Sequence, residues 1–207
     1  MTVNEDLIST YMESHRPVYR IYEPESTMIV LGAGRRNRGD VILEKVSRDS
    51  VPLLIRKGGG GTVVLSPGMV VLSLVKEVGS PFHNREYALI INGWVKRVLQ
   101  SLGVPDIEDR GISDLTIGER KILGASLFRR RLLLFYQSSL LVSNDLSLFE
   151  RYLAYPSTVP EYRGGRSHES FCTTLHRAGC RISIKEIIPR MEETVSRELP
   201  ALHHATP

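Results

Sequence analysis

Four consecutive glycines, in the stretch Ile55-Arg-Lys-Gly-Gly-Gly-Gly-Thr-Val-Val-Leu-Ser-Pro-Gly68, constrain this chain more than any other feature. Such a run costs conformational entropy that an ordinary turn does not require, so its use is close approach of backbone to a ligand and access to positive φ. Arg56 and Lys57 bring positive charge to the same spot. Together these residues describe a loop whose N–H groups and cations hold a phosphate or a carboxylate. A plain glycine hairpin between two strands is the competing reading. The run lacks the Gly-Lys-Ser/Thr ending of a P-loop and leads into a β-branched stretch rather than a helix, so the Walker and Rossmann arrangements are excluded on context.

With 207 residues, 42% of them hydrophobic, the chain has material for one good core and is short for two. One domain is expected over residues 1–200, with a flexible tail at 201–207. No apolar run reaches the roughly 18 residues that span a membrane, and the polar N-terminus is unlike a signal peptide, so a cytoplasmic protein without a membrane partner is expected. Cys172 and Cys180 are too few for a disulfide scaffold and read as buried free thiols; a zinc site is not expected. The net charge of +4 is too small to announce nucleic acid, though it suits an acidic protein partner. Arg129-Arg130-Arg131, flanked by apolar residues, reads as the tip of a hairpin.

Periodicity predicts an amphipathic helix over 3–14, strands at 18–22 and 28–31, a basic loop at 35–38 and a helical piece at 41–48. Strands at 51–55 and 62–65 flank the glycines, and the apolar run 69–75 suits a strand buried on both faces. A helix over 85–102 is ended by Gly103 and Pro105. Short strands follow at 114–117, 121–123, 132–136 and 139–142, then a short helix at 146–153. Residues 155–168, rich in proline and glycine, read as a surface loop of lid type. Ser183 and Glu186 stand in capping-box spacing before a last helix over 184–199, with Pro189 at odds with its first turn. This order gives an α+β class of mixed, mostly antiparallel sheets packed with helices.

Three pieces in fixed order resemble the lipoate-protein ligase family, within the wider group of octanoyltransferases and biotin-protein ligases. They are Arg56-Lys-Gly-Gly-Gly-Gly-Thr-Val63, Ser113-Asp-Leu-Thr-Ile-Gly-Glu-Arg-Lys-Ile-Leu-Gly-Ala-Ser126 and Asn144-Asp-Leu-Ser-Leu-Phe-Glu-Arg-Tyr-Leu153. The resemblance implies a biotin/lipoate-ligase catalytic domain, similar to that of class II aminoacyl-tRNA synthetases. It further implies an enzyme that uses ATP and Mg²⁺ to convert lipoate to lipoyl-adenylate and passes the acyl group to a lysine of a lipoyl-carrier domain. Such carriers are the acyltransferase subunit of 2-oxoacid dehydrogenases and the glycine cleavage H protein. By resemblance Arg56 contacts the adenylate, and Gly59, Gly60, Gly61, Thr62, Val63 and Val64 line the nucleotide and acyl pocket. Lys121 reaches the oxygens where carboxyl and phosphate join.

The chemistry of these residue types agrees. Attack of a carboxylate on an α-phosphate brings two anions together, which asks for fixed cations and N–H donors aimed at the developing charge. Arg56 offers a planar fork and Lys121 a compact mobile charge. Asp114 holds either a Mg²⁺ ion or the incoming lysine amine, and both roles stay open. Gly124 and Ala125 leave room for the acyl chain, with the strand at 70–75 as a wall for its tunnel. Two departures stand out: Leu65 where relatives usually carry a histidine, and Tyr136-Gln137-Ser138-Ser139 where many have His-His-Gly-Thr. The rivals are an octanoyltransferase working through a cysteine thioester without ATP, and a non-catalytic relative that binds carriers. No cysteine precedes Lys121 in this chain, and Ser157 occupies the later cysteine position. Because the chain ends soon after its last helix, a separate accessory subunit is also expected.

Overall fold

The computed structural model describes residues 4–34, 39–156 and 158–203, so the expected basic loop at 35–38, Ser157 and the end of the tail lie outside the described residues. In chain order the elements are α1 (Asp6–Ser14), β1 (Val18–Tyr22), β2 (Met28–Leu31), α2 (Leu43–Arg48), β3 (Leu53–Ile55), β4 (Val63–Leu65) and β5 (Met69–Glu77). They continue with α3 (Asn84–Ser101), β6 (Ile107–Arg110), β7 (Asp114–Ile117), β8 (Arg120–Arg130), β9 (Leu133–Leu141), α4 (Ser147–Tyr152), α5 (His168–Phe171) and α6 (Ile184–Glu198).

Strand β5 is buried along eight of its nine residues because both of its faces meet a core. Its alternation sorts the side chains: Val70, Leu72 and Leu74 join one apolar cluster with α3 and α6, while Met69 and Val71 join a second with β2, β4 and α4. A six-stranded sheet runs in the order β1-β5-β9-β8-β7-β6, antiparallel throughout. The second sheet, β3-β2-β4, pairs β2 with β3 in parallel and with β4 antiparallel. This is the α+β arrangement of mostly antiparallel strands that the order of elements predicts.

Two strands are longer than the sequence pattern suggests. The expected pieces at 121–123, 132–136 and 139–142 belong to the continuous strands β8 and β9, which pair from Leu123↔Leu140 to Arg130↔Leu133. Their apolar pattern is interrupted by Gly124, Ala125 and Ser126 and by Gln137, Ser138 and Ser139, all of which line a cavity. Arg129 and Arg130 therefore lie in the hairpin arm, and its tip is Arg131-Leu132. Strand β6 escapes notice because only Ile107 of its four residues is buried.

Helix α3 ends as Gly103 predicts, with φ +86° at that residue and the Val104 N–H donating to the Leu99 carbonyl at 3.0 Å. The capping residues of α6 also act as expected: Ser183 N–H and Oγ–H donate to Glu186 Oε2 at 2.9 and 2.6 Å. Pro189 sits inside that helix without ending it. Residues 201–203, where the sequence predicts a flexible tail, are held to the body by Leu202 and the His203 main chain. Leu202 is buried, and the His203 carbonyl accepts from Gly79 N–H at 2.6 Å and Tyr87 Oη–H at 3.2 Å. Among the described residues no helix is long and apolar enough to cross a membrane.

Candidate active site

A cavity of about 250 Å³ opens between the small sheet and the β8-β9 arm of the large one, covered by the segment that follows α4. The wall from the small sheet begins with the glycine loop. Arg56 continues the β2-β3 pairing through its N–H to the Leu31 carbonyl, 2.9 Å, and its side chain then turns back beneath the loop. Nη2 donates to the carbonyls of Gly59 and Gly61, both at 2.7 Å, and Nη1 to that of Val30 at 3.3 Å. Gly60 has φ +87°, and a Cβ there would stand 3.2 Å from Arg56 Nη2, so the loop can wrap the guanidinium only with glycine at this point. Gly58 meets a different requirement, since a Cβ would lie 2.7 Å from Ser126 Oγ on β8.

Arg56 is thus both a clasp for the loop and a buried charge. It is 6% exposed, its Nε has no partner, and no ion pair among the described residues includes it. Burial pushes its pKa down to about 10. A cation taken from water without a counter-charge is costly, so an anion entering the cavity would stabilise it. Lys57, expected to add its charge here, instead pairs with Glu5 at 3.1 Å and ties the loop to the start of α1.

Lys121 comes from the opposite wall. A register irregularity between β7 and β8 pairs Leu115 with Leu123 and Thr116 with Lys121, leaving Ile122 as an extra residue. Consecutive Ile122 and Leu123 consequently share one core, and Lys121 can share a face with Gly124. The lysine crosses directly over that glycine: a Cβ at Gly124 would be 2.5 Å from Nζ. The ammonium ends 2.7 Å from Asp114 Oδ1, and Asp114 Oδ2 accepts from Tyr162 Oη–H at 2.8 Å. Tyr162 has its hydroxyl pKa raised by burial and then by the charge of Asp114.

Of the residues singled out in advance, Arg56, Gly60, Gly61, Thr62, Val63, Val64, Lys121, Gly124 and Ala125 all line this one cavity, as does Leu65. Gly59 contributes its carbonyl to the Arg56 clasp, and Asp114 stands behind Lys121. Of the expected tunnel wall at 70–75 only Val71 reaches the cavity. Tyr136 does not; it faces the other core and donates to Asn92 Oδ1 at 2.5 Å.

Three further side chains line the cavity: Cys172, expected as a buried free thiol and found so, and Arg163 and His168, which sequence reasoning missed. Cys172 lines the cavity and is bridged through its main chain to Lys121, but burial raises its thiol pKa despite the nearby charges of Lys121 and Arg163. Arg163 and His168 come from the covering segment. Their only sequence signal was position within a loop long enough to act as a lid. Part of the remaining wall is apolar, with Val30, Val71, Leu141, Phe149 and Leu153, and part is polar, with Asp40, Gln137, Ser138 and Ser139. Cations at one part and hydrocarbon at another suit an acid with a short apolar tail.

Among the described residues no three His, Cys, Asp or Glu side chains are grouped to hold a metal ion. Asp114 meets Lys121 through Oδ1 and Tyr162 through Oδ2, and among the described residues no further His, Cys, Asp or Glu is grouped with it to complete a set of ligands for Mg²⁺.

The chain is 25% identical over 163 residues to "Probable lipoate-protein ligase A" of Mycoplasma pneumoniae, a match covering 79% of this chain and 45% of that protein. It therefore spans less than half the length of that curated relative. Its fold is similar to that of a bi-partite lipoate protein ligase from Thermoplasma acidophilum, solved in a study of that ligase and its E2 lipoyl domain. The TM-score is 0.76 and the identity 22%, over 97% of this chain and 81% of the other. A lipoate-protein ligase A bound with ATP is similar at a TM-score of 0.74 and 22% identity, over 89% and 73% of the two chains. A T. acidophilum protein with bound lipoic acid gives 0.71 and 21%, with the same coverage. The family described as "Lipoyl protein ligase A/B catalytic domain" matches residues 1–196, and the chain belongs to that family.

Proposed function

We propose that this chain activates lipoate, or an acid of the same build, with ATP to the acyl-adenylate and transfers the acyl group to a lysine of a lipoyl-carrier domain. The observation that carries this reading is that Arg56, next after β3 of the small sheet, and Lys121, on β8 of the large one, are far apart in sequence and line one cavity with an apolar end. Relatives of the same fold that hold ATP, hold lipoic acid, or were studied with an E2 lipoyl domain support it.

In the first step a carboxylate oxygen forms a bond to the α-phosphorus while the bond from that phosphorus to the bridging oxygen breaks, and pyrophosphate leaves. Lys121, steadied by Asp114, supplies a compact positive charge where the two anions meet. Arg56 holds the glycine loop around the nucleotide and adds a fixed positive field. In the second step the carrier amine attacks the acyl carbon and AMP departs. The ion pair at 2.7 Å makes Asp114 a positioning group for Lys121. Mg²⁺, if used, would be carried by the triphosphate oxygens.

Pyrophosphate release measured over a panel of acids tests the reading. Release that depends on lipoate or octanoate and is lost in Lys121→Ala is expected. Acyl transfer from a carrier protein without ATP, with no acid-dependent pyrophosphate, would overturn it. That outcome would favour a thioester enzyme, a second reading to which the cavity position of Cys172 lends some weight. A raised thiol pKa is the opposite of what an activated nucleophile needs. Cys172→Ala is accordingly expected to keep most of the activity; full loss, together with an acyl-enzyme in the unmodified protein, would select the thioester route.

A further inference from the structure

We propose that Arg163 is a ligand for a phosphate of the nucleotide, carried to the cavity by the segment that covers it. The inference rests on the activation reading above and adds to it a residue that neither the motifs nor the resemblance assigned. Arg163 lines the cavity and is only 4% exposed. Its Nε donates to the Arg166 carbonyl at 2.8 Å, but its buried Nη2 has no hydrogen-bond partner among the described residues. A guanidinium donor shut away from water and left unpaired is rare, because the lost hydration is not returned. Contact with the rings of Tyr155 and Phe171, whose centroids lie 4.8 and 5.0 Å from its Cζ, steadies the plane without satisfying that donor.

The surrounding contacts place this side chain deliberately. Arg166 Nε returns a bond to the Arg163 carbonyl at 2.9 Å, its Nη2 holds the Tyr162 carbonyl at 2.6 Å, and its Nη1 reaches the Glu119 carbonyl at 3.0 Å. Adjacent Tyr162 is fixed on Asp114. The same two-residue step therefore fastens the cover to the Lys121 ion pair and brings a guanidinium to the cavity wall. Its planar, weakly hydrated fork matches phosphate oxygens, and the nucleotide offers several such anionic groups where the acid offers a single carboxylate. With Arg56 and Lys121 it makes three cations around the space, against one lining carboxylate, Asp40, among the described residues.

Equilibrium titrations of the intact chain with α,β-methylene-ATP and, separately, with lipoate test the proposal in the wild type, Arg163→Gln and Arg163→Lys. Arg163→Gln is expected to bind the nucleotide analogue at least about tenfold more weakly, Arg163→Lys at least about threefold, and both to bind lipoate within about twofold of wild type. Thermal melts accompany the titrations, and if the glutamine variant does not fold the lysine variant decides. Nucleotide binding within twofold of wild type in the folded variants overturns the assignment, as does an equal loss for nucleotide and lipoate, which marks a packing role. Wild-type protein that binds lipoate but not the nucleotide analogue instead defeats the activation reading, and the wild-type titration tells the two failures apart.

Discussion

Lys121 owes its position to a residue without a side chain. Gly124 leaves the space that its ammonium crosses on the way to Asp114, and a methyl group there would meet Nζ at 2.5 Å and Cε at 2.6 Å. Gly124→Ala is therefore expected to dislodge the ammonium and lower the rate of acid-dependent pyrophosphate release by about 10²-fold, the cost of roughly an ångström of misplacement. The fold should survive, because the obstacle is the flexible end of a side chain. A rate near wild type would show that the ion pair is not needed. The identities of Arg56, Lys121 and the glycines could be read from the sequence, whereas their partners could not. Lysine and glycine three residues apart normally point to opposite faces of a strand, and the extra Ile122 that unites them leaves no mark in composition. Likewise nothing in the sequence says that Lys57 turns away to Glu5 while Arg56 turns inward.

The covering segment is the element on which the cavity depends most. Part of its hold on the body runs through Tyr162 and Asp114, beside the Arg166 bond to the Glu119 carbonyl, so Tyr162→Phe removes a partly buried hydrogen bond worth about 1–3 kcal/mol locally. Faster hydrogen exchange over residues 158–168, with β5 and β9 unchanged, is the expected result; unaltered exchange would mean that other contacts hold the segment. His168 adds a pH dependence. Burial, followed by the charge of Arg163, lowers its pKa below the ordinary imidazole value of about 6.5, and the ring meets the Ala154 carbonyl at 3.0 Å through Nε2. The unfolded segment binds the proton more readily. Stability from this residue is thus full above pH about 6.5 and is lost as the pH falls below it. His168→Gln should flatten that acid limb in the exchange of the same residues; an unchanged limb would assign it elsewhere. The sequence revealed a lid-like stretch by its prolines and glycines, but not the arginine and histidine that it presents. The same limit applied to β8 and β9, whose small and polar cavity residues hid two continuous strands.

At the scale of the whole molecule, β5 and β9 separate a purely structural core from the face that bears the site. Tyr136 lies on the structural side, where its hydroxyl and Asn92 form a buried pair and Asn92 in turn donates to the Ser113 carbonyl at 3.1 Å. Tyr136→Phe leaves Asn92 Oδ1 without its donor and should cost about 1–3 kcal/mol in urea unfolding. Activity per folded molecule should hold, since the residue does not reach the cavity. A drop in activity without a loss of stability would place Tyr136 in the site after all. The α+β class and most helices were legible because apolar periodicity reports which face is buried, and the core clusters are built from such faces. What periodicity does not carry is which cluster a face enters, and that choice fixes where the cavity lies. The central claim is that a carboxylate attacks the α-phosphate inside that cavity, and isotope transfer examines this most directly. Lipoate labelled with ¹⁸O in both carboxyl oxygens, incubated with ATP, the enzyme and a lipoyl domain, should yield AMP carrying one ¹⁸O atom. Lipoylated domain formed alongside unlabelled AMP, or without AMP at all, would contradict the claim.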